Sequence, residues 1–285
     1  FMSVVLVGAP SVVEASTLRG GRDGVYTHRA DGSVVRDNEI IPNRYGVHEM
    51  YTSSSLVADN TVRDAQAGVI VMTRPVDNLV VGNDIRGGTY GIVPAGGDSY
   101  YAHNVVIDTE YGLGVAGDRN VFADNVVAGN RIGARANEIL PSNRVVRNDF
   151  VGNDRAVAAT MGPLRTWSHR GLGNHWGSLP MADSDDDGVY DRVYRPSGAV
   201  DARLGEVDGA TTLAQSPTAM ALRRVQDTVS GLRQSGVIDV SARAEPVHPH
   251  VVAAVRNETE PENRTGSASM PASEPTHGAT GGSAA

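Results

Sequence analysis

The chain contains no cysteine among its 285 residues. That excludes disulfides, thiolate metal sites and cysteine nucleophiles. A soft metal would have to be met by methionine sulfur and histidine nitrogen. There is no lysine either, so arginine carries all of the side-chain positive charge. The formal net charge of −8 argues against a nucleic-acid backbone as partner. Aromatics make up only 5% of the residues, which leaves Val, Ile, Leu and Ala to build a core. No apolar run approaches the ~18 residues of a membrane span. The opening FMSVVLVGAPSVVEAS lacks a basic leader region and a clear cleavage site. It reads as the inside of a strand-rich repeat, so the chain is expected to be truncated at its N-terminus, without its signal peptide and first coils.

What is present is a period. Gly24, Gly46, Gly68, Gly91, Gly112 and Gly133 recur about every 22 residues. Asn38, Asn60, Asn83, Asn104, Asn125 and Asn148 follow at a near-constant offset. Each glycine opens a short run such as GVYTH, GVHEM or GVIVM, and a polar turn leads to a second run such as SLVADNTV or NVFADNVV. Runs this short, rich in Val and Ile and broken by Asn, Asp and Gly, are strands. Two or three of them per ~22 residues make one coil of a parallel β-helix, an all-β solenoid. Stacked Asn side chains can bond up and down such a coil stack, satisfying both ends of the amide. The regular offset favours that ladder over scattered turn formers.

The period predicts β-helix coils over 1–176, with Trp167 and Trp176 capping the open end of the core. An end cap with an acidic loop is expected over 177–200 and a C-terminal helical extension over 201–257. In the latter, Ser216 is the N-cap, Pro217 the first helical residue and Gly236 the stop. Its apolar stripe, Leu222, Val225, Val229 and Leu232, is expected to dock on the solenoid or on a partner. Residues 258–285, rich in Glu, Pro, Thr, Ser and Gly, are expected to be disordered.

Two clusters could bind metal. In a strand that begins after the repeat glycine, the first and third positions point inward and the second and fourth outward. The fourth position reads His28, Met50 and Met72 in consecutive coils, and His48 lies two residues before Met50 on the same face. Coils stack at ~4.8 Å and positions i and i+2 lie ~6.6 Å apart, so these side chains can converge. Thioether and imidazole without thiolate suit Cu(I) better than Zn, Ca or Mg. The competing reading is that the methionines pack under another segment. Glu49 falls at an inward position, which calls for a bend or a slip in that coil.

The second cluster is Asp183, Asp185, Asp187 and Asp191 around Gly188, which resembles the start of a calcium loop. The twelfth position, where an EF-hand carries glutamate, is Tyr194, so it is not an EF-hand. A solvated acidic turn is the alternative. The outward columns offer no paired carboxylates of the sort that polysaccharide lyases and hydrolases need. No catalytic residue is assigned and the protein is expected not to be an enzyme. The pair His248 and His250 reads as tail.

The segments RYGVHEMYT, VIVMT, GNHWGSLPMADSDDDGVYDRVYRP and QSPTAMALRRVQDTVSGLRQSGVID resemble the NosD family, over most of residues 16–250. That resemblance implies a right-handed parallel β-helix in the periplasm. It implies copper handling for nitrous oxide reductase, together with an ABC ATPase (NosF), a membrane subunit (NosY) and a copper chaperone (NosL). His48, Met50 and Met72 fall on the family's His-x-Met and later Met positions; an aromatic usually stands where this chain has Glu49. A carbohydrate-active β-helix, lyase or binder, is the alternative function, and a structural surface protein without ligand is a third.

Overall fold

The computed structural model describes residues 1–138, 140–159, 163–197, 216–228 and 236–259. Parallel strands wind into a β-solenoid of about seven turns. Its three walls are an eight-stranded sheet that starts at Val4–Val7 and two seven-stranded sheets. Consecutive members of each sheet lie one coil apart, so each strand pairs with its equivalent in the coils above and below.

The inward residues stack in columns. In the first wall Val25, Val47, Val69, Ile92, Leu113, Ala134 and Val157 are in register and fully buried. In the second the column is Val13, Val35, Val57, Val80, Tyr101, Phe122 and Val145. In the third it is Leu18, Ile40, Val62, Ile85, Val106, Val127 and Phe150. Burial of β-branched side chains on a pleated wall makes these short strands stable together, although none would be stable alone.

The repeat glycines are explained by space rather than by turning. A Cβ on Gly68 would lie 2.4 Å from Ile85 Cγ2 and 2.8 Å from the Gly91 carbonyl oxygen. The other five meet the same obstruction, from a third-wall side chain, from Asn130 or Asn153, or from the next coil's carbonyl. Left-handed turn positions fall to other glycines, such as Gly82, Gly87 and Gly129, and to aspartates such as Asp37, Asp59, Asp64, Asp108 and Asp124.

The asparagines hydrogen-bond up the stack. Asn38 Nδ2 donates to Asn60 Oδ1 at 2.9 Å, and the same bond links Asn60 to Asn83, Asn83 to Asn104, Asn104 to Asn125 and Asn125 to Asn148 at 2.8–3.0 Å. The run continues to Asn174 at 2.9 Å and ends on Asp239, whose Oδ2 accepts from Asn174 Nδ2 at 3.1 Å and from Trp176 Nε1 at 2.9 Å. Trp176 stacks on Phe150 at 4.6 Å and Trp167 lies beside it, so the two tryptophans close the core.

Two expectations for the C-terminal part need correction, and a third, the docking of the apolar stripe on the solenoid or on a partner, is narrowed because its described residues do not meet the solenoid. A helix does run from Pro217 to Thr228, with the Met220 amide bonded to the Ser216 carbonyl. But Leu222 and Val225 stand open to solvent instead of packing on the solenoid, and Val229 and Leu232 lie outside the described residues. The helix that does pack on the solenoid is Pro249–Thr259. Its Val252 and Val255 bury against Ile107, Val126, Ala128 and Val151. His248, read as tail, anchors it: Asp149 accepts from the His248 amide at 2.9 Å, and its Oδ2 lies 3.0 Å from the His248 Nδ1. Glu258, placed at the start of a disordered tail, is helical and paired with Arg86; 260–285 lie outside the described residues.

Candidate metal centre

Three adjacent strands of the first wall, Asp23–His28, Tyr45–Met50 and Ala67–Met72, build the candidate site. Their register sets Met50 directly between His28 and Met72. All three are half-buried on the outer face. The Tyr26 hydroxyl donates to Met50 Sδ at 3.4 Å. His28 sits edge-on to Tyr51, with ring centres 5.5 Å apart.

His48 occupies the neighbouring row, between Tyr26 and Ile70. It shares the face of the column but is 5% exposed, because the rings of Tyr26 and Tyr45 cover it at 4.9 and 5.1 Å. Its Nδ1 lies 3.0 Å from Asp23 Oδ2. Arg44 grips the same carboxylate with Nε at 2.7 Å from Oδ1 and Nη2 at 2.5 Å from Oδ2. Burial pushes the Asp23 carboxyl up, but the Arg44 and His48 hydrogen bonds outweigh it and hold it below the usual range. For His48 burial wins over Asp23, so its pKa falls and the neutral imidazole is favoured. Nε2 is buried and without a hydrogen-bond partner. The sequence pattern finds His48 but not Asp23, which opens its strand ahead of the repeat glycine and pairs in register with a tyrosine, nor Arg44, which belongs to the corner before the next strand.

Glu49 neither bends out nor shifts register. It pairs in register with Thr27 and Val71 and is fully enclosed by the core. Asn78 Nδ2 donates to its Oε2 at 3.1 Å, while Oε1 has no partner. Burial raises its pKa to about 7.

Below the column the outer face opens into a cavity of about 240 Å3. Tyr45, Ile70, Tyr90, Tyr111 and Arg135 are among its walls. Tyr90 and Tyr111 stack at 5.1 Å, and the Arg135 guanidinium lies 4.7 Å from the Tyr111 ring centre. No carboxylate is among the described residues that line it.

In the acidic loop, ligand atoms of Asp183, Asp185 and Asp187 lie within 4.8 Å of one another. Asp183 also accepts from the amides of Asp187 and Gly188 at 3.2 and 3.0 Å. Asp191 turns elsewhere: its Oδ2 accepts from the Ser184 hydroxyl at 2.6 Å.

Fold and donor set together define a parallel β-solenoid that presents thioether and imidazole groups on one outer wall. A family model described as periplasmic copper-binding protein (NosD) matches residues 6–180, and the chain belongs to that family. It is 34% identical, over 97 residues, to the probable ABC transporter binding protein NosD of Stutzerimonas stutzeri. The aligned stretch is 34% of this chain and spans 22% of that relative's length. The family is described by the copper its members bind and by their periplasmic setting. Among the described residues no helix is long and apolar enough to cross a membrane.

Proposed function

We propose that this chain is a non-enzymatic copper-handling accessory protein that assists copper-site assembly in nitrous oxide reductase. It would work with an ABC transporter, formed by the ATPase NosF and the membrane subunit NosY, and would receive Cu(I) from the chaperone NosL. The transporter part of this reading is supported by the name of the S. stutzeri relative. One observation carries the copper part: His28, Met50 and Met72 lie in register beside a buried imidazole whose Nε2 has no partner. Soft, uncharged donors suit Cu(I), and an outer wall suits an ion that must be handed on.

The test is Cu(I) competition against a chromogenic chelator with the variant Met50→Leu/Met72→Leu. Leucine keeps volume and apolarity, so the fold should persist. We expect affinity to fall at least about tenfold, that is ~1.4 kcal/mol, with unchanged circular dichroism. Parent-like binding would place copper elsewhere.

For the acidic loop we propose calcium, held by Asp183, Asp185 and Asp187, with Asp191 acting through Ser184. Carboxylate oxygens converging at a tight turn are the ligands that calcium prefers. A calcium titration by calorimetry that gives no heat would remove it. A saccharide binder would use the tyrosine-lined cavity, and the exposed part of that cavity is the observation in its favour. The missing carboxylates leave a lyase or hydrolase without its acid–base pair.

A further inference from the structure

We infer that Asp23 and Arg44 are positioning residues that fix the tautomer of His48, keeping its proton on Nδ1 and presenting Nε2 as a free lone pair to the metal. The inference deepens the copper reading and rests on it for the metal, but not for the tautomer.

A neutral imidazole carries one proton, so one ring nitrogen donates and the other accepts. At His48 the choice is made by what faces Nδ1. Asp23 Oδ2 stands 3.0 Å away, and that carboxylate is itself clasped by both prongs of the Arg44 guanidinium. A guanidinium fork that donates to both oxygens needs both as acceptors. Asp23 therefore has no proton to offer, and Nδ1 must donate. Nε2 is left as the acceptor.

That acceptor has nothing to accept from. His48 is 5% exposed, and Nε2 lacks a hydrogen-bond partner. A polar atom buried without a partner is uncommon and costs free energy. The tyrosines that cover the ring meet it edge-on, and the hydroxyl of one of them, Tyr26, is engaged by Met50 Sδ instead. A histidine kept merely to tie coils together would need only its Nδ1. The lone pair on Nε2, two residues from the Met50 thioether along one strand, is spent on nothing within the fold.

Arg44 acts twice. Its guanidinium also lies 4.1 Å from the ring centre of Tyr45, one of the two rings that cover His48. The corner Arg44–Tyr45 thus fixes both the carboxylate beneath the imidazole and the ring beside it. Carboxylates behind metal-binding histidines orient the ring in this way, and removing one typically weakens metal affinity about 10–100-fold.

The experiment uses the full chain, with Cu(I) itself as the probe. In the metal-free protein, long-range 1H–15N correlation spectra at about pH 8, where imidazoles are neutral, report the tautomer. We expect His48 of the parent in the Nδ1–H form and His48 of Asp23→Asn shifted toward the Nε2–H form. An Nε2–H or freely averaging parent overturns the inference whatever copper does. In chelator competition, Asp23→Asn should weaken Cu(I) about 10–100-fold and Arg44→Gln less, with unchanged circular dichroism. If His48→Gln weakens binding but Asp23→Asn does not, positioning is refuted while the copper reading survives. If His48→Gln binds like the parent, His48 is no ligand and the copper reading fails at this residue. Should Asp23→Asn not fold, the parent spectrum and Arg44→Gln still decide.

Discussion

Glu49 illustrates how one side chain can carry a pH dependence for the whole domain. It is enclosed among apolar columns, and burial raises its pKa to about 7 from an ordinary 4.5. In the unfolded chain it ionises near the ordinary value, so between those two pH values the native state holds a proton that the unfolded state has lost. Stability then falls as pH rises. The contribution is fully favourable below about 4.5 and is lost by about 7, an effect on the order of 3 kcal/mol. Glu49→Gln keeps an acceptor for Asn78 and cannot ionise. Denaturant unfolding at about pH 5 and about pH 8 should show the variant gaining on the parent at the higher value; an equal difference at both would reject this account. The residue's place was legible, because an inward position two after Val47 follows from alternation. Its accommodation was not, since the cavity among Asn78, Thr27 and Val71 comes from three coils at once.

At the scale of elements, period and strand length sufficed for the walls, and the side-chain columns follow from them. The role of the glycine column did not follow. Glycine is the usual residue where a chain turns, whereas the observed constraint here is contact between walls: the missing side chain of Gly68 leaves the space that Ile85 fills. A prediction separates the two ideas. Gly68→Ala must push backbone or a core isoleucine aside and should cost about 3 kcal/mol. Gly152 has φ +61, and a methyl added there would have nothing within 4 Å; Gly152→Ala meets conformational strain alone, about 1 kcal/mol. Chemical denaturation of both variants measures the difference, and equal losses would mean that turning dominates after all. The helix Pro249–Thr259 was missed although signals were there: Pro249 at the first helical position, and Val252 and Val255 three apart. What no local pattern reveals is its dock, because Asp149 lies a hundred residues earlier in the chain and looks like an ordinary turn former.

At the scale of the whole molecule, a solenoid couples each coil mainly to its neighbours, so damage at one end should stay there. The asparagine ladder provides the place to test this. It runs through the stack and terminates on Asp239, which is buried and accepts from the Asn174 amide at 2.8 Å, Asn174 Nδ2 at 3.1 Å, Trp176 Nε1 at 2.9 Å and the Ser241 amide at 3.0 Å. Burial pushes its carboxyl pKa up, against those four donors. Asp239→Ala leaves three of the four without an acceptor, at about 1–3 kcal/mol each, since Asn174 Nδ2 also donates to the carbonyls of Val145 and Trp167 at 3.0 and 2.8 Å; the removal of a buried carboxylate offsets part of the loss. A net loss of about 4 kcal/mol is expected. Hydrogen exchange should then rise around Arg144–Val146, Asp149–Val151 and the Trp176 cap, while the strands Asp23–His28, Tyr45–Met50 and Ala67–Met72 keep their protection. Cu(I) affinity should match the parent, since the candidate site lies several coils from the lost acceptor. Exchange rising equally through all three walls would show instead that the stack unfolds as one unit, and the end cap would then be as important to the metal face as the residues that form it.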